Sequence, residues 1–327
     1  MAYTTIDDPS AYFQTTLYTG DGSTSHAITN GGNSDLQADW LWIKSRSSTE
    51  QHFVFDSVRG QSKYIFPNAA NAEGTASTGI LNSFNSDGFT LGNNDGVNAN
   101  SETFVAWQWK KVAGVFDIQT YSGASNTRTI SHNLGVVPKA MIFKRLDDGA
   151  WIVYHADAGG ADKYLVLNTN AAVDTATTLF NNTVPTSSVF SVGNTNSTNG
   201  SGIDYVVYLI GNKQGVSKCG SYTGNGNANG PYIHLGFKPA FVMAKKSSGT
   251  EDWSITDNKM NTFNVCNNKL RPNSTSQEST GNAHIDFTAQ GFKWRSTSGE
   301  FNASGSTYIY MAFAENPFVT SSGVPAT

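Results

Sequence analysis

The chain has 327 residues, of which only 14% are charged, and its formal net charge is -4. No basic run exceeds two residues, which excludes an ordinary nucleic-acid partner, because phosphate binding needs a clustered basic patch. No apolar stretch approaches the length of about 18 residues that a membrane-spanning helix requires, and the first residues do not resemble a secretory signal. We therefore expect no membrane insertion, and a chain that folds in the cytoplasm.

The first third of the chain contains a series of landmarks. A glycine-rich turn follows Tyr18-Thr19-Gly20, and the apolar run "WLWIK" then ends at Lys44. The alternating segments "QHFVFD", "KYIF" and "DGFTLG" come next, and the longer apolar segment "TFVAWQW" closes the series. Apolar residues at every second position between turn residues predict short β-strands.

The same landmarks recur twice, about a hundred residues apart. Tyr121-Ser122-Gly123 and Tyr222-Thr223-Gly224 repeat the first turn, and Lys144 and Lys245 end "LGVVPKAMIFK" and "LGFKPAFVMAK". The closing segments "DYVVYLI" and "TYIYMAF" match "TFVAWQW". Because the period equals the size of a small domain, we infer an internal triplication.

The predicted fold is all-β, with three tandem homologous antiparallel β-sandwich domains of jelly-roll or lectin-like type. The predicted boundaries are an arm at 1–12, copies at 13–112, 113–214 and 215–318, and a tail at 319–327. Linkers of about five residues keep neighbouring copies in contact. The copies either surround a pseudo-three-fold axis or form a short rod, and the sequence leaves both arrangements open.

Catalytic and metal-binding motifs are missing from the sequence: it has no nucleophile elbow, no phosphate-binding loop and no zinc-type cysteine pair. His26, His132 and His234 precede the apolar runs at similar distances, and we interpret them as residues that fix turns. Cys219 and Cys266 have no counterparts in the other copies, so we expect reduced thiols rather than a disulfide. The expectation is a protein without enzymatic activity, cofactor or metal ion.

Tryptophans are the candidate sugar platforms. Trp107 and Trp109 fall at positions that are apolar in all copies, which predicts core positions, and Trp40 and Trp42 share one face of a strand. Trp294 is the better surface candidate because charged Lys293 and Arg295 flank it. The predicted ligand-binding residues are Trp294, Lys293, Arg295, Asn225 and Asn227, the last two from the "GNGNANG" loop.

A resemblance emerges from "YTGDGSTSHAI", "DWLWIKSRS", "LGFKPAFVMAKKSS" and "YIYMAFAENPF" together. These segments resemble repeat modules of tail-fibre and other virion surface proteins of tailed bacteriophages, especially marine ones. The resemblance covers almost the whole chain. It implies a lectin-like β-sandwich module on a virion, with no catalytic residues to carry over.

Three functions follow as alternatives. The first is a tail-fibre or receptor-binding component that binds a host glycan or outer-membrane component through its loops. The second is a capsid-decorating or tail accessory protein, and the third is a glycan-cleaving enzyme. We expect other virion proteins as partners, a homo-oligomer, specifically a trimer, on the particle, and one terminal segment as the docking arm.

Overall fold

The computed structural model describes residues 6–76, 78–281 and 284–316. In this part of the chain the helices are single turns, the α-helices α1 (Asp95–Asn98) and α2 (Gly299–Asn302) and the 3-10 turns Pro9–Ala11 and Ala156–Ala158. No helix among the described residues could cross a bilayer. The remaining elements are antiparallel strands, so the prediction of an all-β fold is confirmed.

The first copy forms two main sheets, with strand orders β1-β9-β3-β4 and β2-β8-β7, and a two-stranded hairpin of β5 and β6. Its strands are β1 (Phe13–Thr19), β2 (His26–Ile28), β3 (Trp40–Ser45), β4 (Phe53–Asp56), β5 (Lys63–Tyr64), β6 (Gly74–Thr75), β7 (Leu81–Phe84), β8 (Phe89–Leu91) and β9 (Thr103–Trp109).

The second copy forms its own large sheet, which is longer and has the strand order β10-β17-β12-β13-β14-β15, and a two-stranded sheet of β11 and β16. Its strands are β10 (Phe116–Ser122), β11 (Arg128–Ser131), β12 (Ala140–Arg145), β13 (Trp151–His155), β14 (Lys163–Val166), β15 (Asp174–Thr175), β16 (Val189–Val192) and β17 (Asp204–Ile210).

The third copy has a large sheet of order β18-β24-β20-β21 and a small sheet of order β19-β23-β22. Its strands are β18 (Ser217–Thr223), β19 (Tyr232–His234), β20 (Phe241–Lys246), β21 (Ser254–Asp257), β22 (Ile285–Thr288), β23 (Gly291–Trp294) and β24 (Thr307–Phe313). In all three copies the first strand therefore pairs with the last.

Each large sheet buries both of its faces. Alternate residues pack against the copy's own small sheet, as Leu41 and Ile43 do in the first copy. The residues between them, such as Trp40 and Trp42, enter one central core to which all three copies contribute. Double burial explains why the central strands β3, β12, β17 and β24 are apolar almost throughout instead of alternating with polar residues. Trp107 and Trp109 are also in the central core, as predicted.

The central core joins all three copies through aromatic contacts. The ring of Phe13 stacks on Phe313 of the third copy at 5.4 Å. Trp40 stacks on Tyr208 of the second copy at 4.7 Å. Because the first copy touches both others, the copies close into a ring, and the rod arrangement is excluded.

Backbone hydrogen bonds repeat around the ring. One loop of each copy donates an N–H to the turn after the Lys-bearing strand of the next copy. The bonds run from Glu73 to Leu146 (2.8 Å), from Val173 to Ser247 (2.9 Å) and from Glu278 to Arg46 (2.9 Å). The last bond closes the ring, and Arg46 adds an ion pair with Glu278 at 2.6 Å. The contacts therefore have pseudo-three-fold symmetry.

Side chains at equivalent strand ends also bond across the copy boundaries. Asp257 accepts a hydrogen bond from the indole of Trp107 at 2.9 Å, and Asp56 accepts one from the hydroxyl of Tyr208 at 2.8 Å. The counterpart of these two donors in the third copy is Met311, which has no hydrogen to donate. His155 instead donates from Nε2 to the backbone carbonyl of the neighbouring Tyr310 at 3.2 Å.

The three repeated lysines are buried, with no exposed side-chain surface. Burial lowers the pKa of each to about 8. Each ammonium group donates to backbone carbonyls of the turn after its strand: Lys44 to Ser45 and Ser48, Lys144 to Asp147 and Gly149, and Lys245 to Lys246 and Gly249. The repeated lysine therefore fixes the turn that accepts the hydrogen bond from the loop of the preceding copy.

Three buried asparagines explain the recurring Tyr-x-Gly turns. Asn98, Asn199 and Asn302 are fully buried, and each amide group bonds to both loops that meet at the end of its sandwich. Only glycine fits at the start of each turn, because a Cβ at Gly20 would lie 2.1 Å from the carbonyl oxygen of Ala99.

The described part of the predicted N-terminal arm packs on the first copy. Ile6 belongs to the central core, and the hydroxyl of buried Ser10 accepts from the backbone N–H of Ser34 at 3.0 Å. Residues 1–5 and the predicted tail at 319–327 lie outside the described residues.

Candidate binding surface on the third copy

A polar groove of about 490 Å³ lies where the second and third copies meet. We call it the junction groove. It is lined by Lys139, Asp157 and Asn212 of the second copy and by Lys218, Cys219, Gly220, Ser221, Tyr222, Tyr232, Ile233, His234 and Tyr310 of the third.

The junction groove owes its shape to one strand pair. Gly220 on β18 lies opposite Tyr310 on β24, and a Cβ at Gly220 would lie only 2.5 Å from the phenol oxygen of Tyr310. The equivalent pairs in the other copies are Thr16 with Ala106 and Gln119 with Val207. On the last strand, the third copy therefore has a large tyrosine where the other copies have alanine and valine. On the first strand, it has glycine where they have threonine and glutamine.

Tyr232 is the aromatic residue that the junction groove exposes. Its side chain is 49% exposed, although the neighbouring Ile233 is buried in the sandwich core. Lys218 beside it donates from Nζ to the carbonyl of His234 at 2.7 Å. An exposed ring beside fixed polar groups presents both an apolar face and hydrogen-bonding partners to a ligand.

The groove continues onto the outer face of the small sheet. In β19, β23 and β22, Tyr232 lies beside Lys293, and Lys293 lies beside Asp286. Cys266 forms an antiparallel bridge with Ile285, so Val265 lies next to Asp286. We call the row Tyr232, Lys293, Asp286 and Val265 the outer face. Arg295, also exposed, pairs with Asp286 at 3.3 Å.

The other copies show that this outer face is specific to the third. The position of Tyr232 is occupied by Ala27 in the first copy and Thr129 in the second, judged from the partners of the shared Phe residues. Lys293 corresponds to Thr90 in the first copy. The same scaffold therefore presents small side chains in one copy and aromatic and charged groups in another.

The prediction that Trp294 is a surface platform is wrong. Trp294 is only 1% exposed and stacks on Phe301 at 4.5 Å in the core of the third copy. Side chains alternate across a strand, so charged neighbours on both sides indicate an inward tryptophan. Lys293, half-buried, and Arg295, exposed, do face outward, as they must opposite Trp294.

Asn225 and Asn227 are exposed, but their polar groups serve their own turn. Asn225 accepts at Oδ1 from the backbone N–H of Asn227 at 3.0 Å and from Nδ2 of Asn302 at 3.0 Å. The carbonyl of Asn227 also accepts from Asn302, at 2.8 Å. These residues shape the loop, and the structure does not place them among the residues that line the junction groove.

The three histidines are not equivalent. Relative to the isoleucine that pairs with the shared Phe in each copy, His26 lies two residues before, His132 two after and His234 one after. His132 lies within 3.2 Å of a loop carbonyl, that of Thr186, as expected of a turn-fixing residue, whereas His26 contacts the Asn98 side chain at 2.7 Å. Among the described residues, no cluster of His, Cys, Asp and Glu could hold a metal ion.

The two cysteines are free and lie in different cores, Cys219 in the central core and Cys266 in the core of the third sandwich. Burial raises the pKa of both thiols, that of Cys266 to about 11. Both therefore remain protonated at neutral pH and behave as small apolar side chains.

Sequence reasoning did not identify Tyr232 as part of the site. A signal was available in "PYIH", where Tyr232 and polar His234 lie on either side of the apolar Ile233. In a strand this alternation predicts that Ile233 faces the core and that Tyr232 faces outward. The three copies differ at this position, but their register becomes visible only once the strands are paired.

No curated protein and no solved structure matches the chain significantly. A protein-family profile described as "Domain of unknown function (DUF7483)" matches residues 8–317, which is nearly the whole chain. The match spans all three copies and the junction groove. The chain therefore belongs to the DUF7483 family.

Proposed function

We propose that this chain is a non-enzymatic virion surface protein that binds a glycan through the junction groove, as a receptor-binding component in host attachment. The observation that carries the proposal is the half-exposed ring of Tyr232 in a polar groove of about 490 Å³. Sugars combine an apolar face with many hydroxyl groups, and a groove with one exposed ring and several polar side chains suits both.

Three buried titratable groups lie at the boundaries between the copies. Burial lowers the pKa of His155 to about 4 and of His52 to about 3, and raises that of Asp257 to about 6. Each makes a hydrogen bond to another copy, His52 to the carbonyl of Arg271 at 3.0 Å. Their shifted pKa values thus accompany structural roles at the copy boundaries.

The proposal is tested with purified protein on an array of bacterial surface glycans, with a cleavage assay on the same sugars. Tyr232→Ala introduces the residue that the first copy has at this position, so the variant is expected to fold and to lose binding. Thr129→Ala, at the equivalent position of the second copy, is the matched control. Wild-type protein that binds no glycan, or that cleaves the bound sugar, would contradict the proposal.

A capsid-decorating role is the second candidate, and the closed ring is the observation that favours it. A ring with pseudo-three-fold contacts can sit on a three-fold symmetric site as a single chain. Immunogold labelling of intact particles distinguishes the two roles. Label on the shell would support decoration, whereas label at fibre tips would support attachment.

A further inference from the structure

We propose that the ligand of the junction groove is an extended acidic polysaccharide, which crosses the outer face and reaches a second aromatic contact at Phe263. This inference rests on the proposed glycan-binding function and specifies its ligand class. It is carried by the exposure of Phe263, by the strand register of the outer face and by the charges along it.

Phe263 is 84% exposed, an unusual state for a phenylalanine in a folded protein. It borders a pocket of about 300 Å³ that is lined by Lys238, Asn258, Asn261, Thr262, Phe263, Asn264, Cys266 and Phe287. Ile65 of the first copy pairs with Val54, and its counterpart in the third copy is Leu270, which pairs with Ile255, so the segment that carries Phe263 is longer in the third copy. The exposed ring is thus specific to the copy that carries the junction groove.

The strand register links the two aromatic contacts. Residues 264–266 run along the free edge of β22, because Cys266 bonds with Ile285 in both directions and the Asn264 side chain bonds with the backbone of Phe287. From Tyr232 to Val265 the outer face therefore spans three strand-to-strand steps, about 14 Å at the usual spacing of ~4.8 Å. Phe263 lies just beyond Val265 in sequence, so one extended chain of sugars could touch both rings.

The charges along this path favour an acidic ligand. Its basic side chains are Lys139, Lys218, Lys238, Lys293 and Arg295, against the acidic Asp157 and Asp286. Asp286 already pairs with Arg295, and among the described residues Lys139, Lys238 and Lys293 have no ion-pair partner. The chain as a whole has a net charge of -4, so the basic path contrasts with the overall charge.

The aromatic contacts lie beyond the two ends of a charged row, Lys293 and Asp286, and this arrangement also differs from the continuous apolar patch of a protein-binding surface. A sugar polymer with carboxylate groups fits the alternation of ring and cation.

The experiment measures the affinity of wild-type protein for oligouronates from disaccharide to octasaccharide and for neutral oligosaccharides of equal length. Wild-type affinity is expected to rise with chain length, to fall with added salt and to exceed that for neutral chains. Phe263→Ala should lose about tenfold in affinity for the longest chains and nothing for the disaccharide. Lys293→Thr, which introduces the residue of the first copy, should reduce the salt dependence.

Val184→Ala is the matched control, because Val184 of the second copy is 60% exposed and lines neither the junction groove nor the pocket at Phe263. Length-independent binding, unchanged binding by Phe263→Ala, or equal binding of neutral chains would overturn the acidic polysaccharide while leaving glycan binding intact. Failure of the wild-type protein to bind any oligosaccharide would overturn the proposed function together with this inference.

Discussion

The hydroxyl of Tyr208 in the second copy donates a hydrogen bond of 2.8 Å to the Asp56 carboxylate of the first. Asp56 also pairs with the buried guanidinium of Arg59 at 2.6 Å, so the bond belongs to a charged network at the copy boundary. Removing one partner of a buried polar group leaves the other without its bond, which is costly.

Tyr208→Phe is therefore expected to lower the free energy of unfolding by about 1–3 kcal/mol. Urea unfolding measures the change. Tyr164→Phe is the control, since its hydroxyl makes a similar bond to Asp174 at 3.1 Å but in an exposed position. Equal effects of the two substitutions would show that the inter-copy bond has no special weight.

His155 should make stability depend on pH in the acidic range. Its pKa in the folded state, about 4, is below the value of about 6.5 expected after unfolding. Its contribution is therefore complete above pH ~6.5 and is lost as the pH falls towards ~4. Asp257, whose pKa is raised to about 6, contributes in the opposite direction as the pH falls.

His155→Asn removes one of these contributions and leaves Asp257 in place. The difference in unfolding free energy between wild type and variant should shrink as the pH falls from ~6.5 to ~4. The exposed His234 provides the control variant His234→Asn. A constant difference across this range would contradict the assignment.

The buried lysines should make the stability of the protein depend on pH in the alkaline range. Their folded pKa of about 8 is below the unfolded value of about 10.4, so folding releases protons and stability should rise between pH ~8 and ~10. Lys245→Met should remove one of the three contributions and flatten the rise. The exposed Lys110 provides the control variant Lys110→Met.

The closed ring predicts a compact particle. For 327 residues, the radius of gyration of one globular body is about 20 Å, which solution scattering can measure. A clearly larger value for the monomer would contradict the ring.

An excised second copy, residues 113–214, is not expected to fold alone. Its central-core residues, including Ile142 and Tyr208, would lose the partners that the other copies supply. Near-ultraviolet circular dichroism should show no fixed aromatic environment. A cooperative thermal transition of the excised copy would show that the shared core is dispensable.

The sequence predicted the fold class and the repeated landmarks because both depend on local alternation and on turn residues. It could not decide between ring and rod, because that choice depends on contacts such as Arg46 with Glu278, more than two hundred residues apart. The sequence placed Trp40 and Trp42 on one face of a strand. It could not show that this face packs into a core shared by three copies, because that core is formed only together with the sheets of the other two copies.

The candidate site was predicted less well than the fold. Lys293 and Arg295 were placed correctly on the surface, yet Trp294 between them faces the core, since a strand alternates regardless of side-chain type. The buried asparagines Asn98, Asn199 and Asn302 were not predicted, because a polar residue in a segment rich in turn residues normally indicates exposure. Their burial follows from two loops closing over one amide group, which no single segment reveals.

Because one chain supplies all three copies of the ring, a single substitution changes only one of them. In an assembly of three identical subunits, every mutation appears at three places, so a change that improves one contact must be tolerated at the other two. In this chain the tyrosine occurs in the third copy alone, as Tyr232, and the equivalent positions of the other copies carry the smaller Ala27 and Thr129. The exposed residues of one copy can therefore change while the contacts that hold the three-fold body together stay the same.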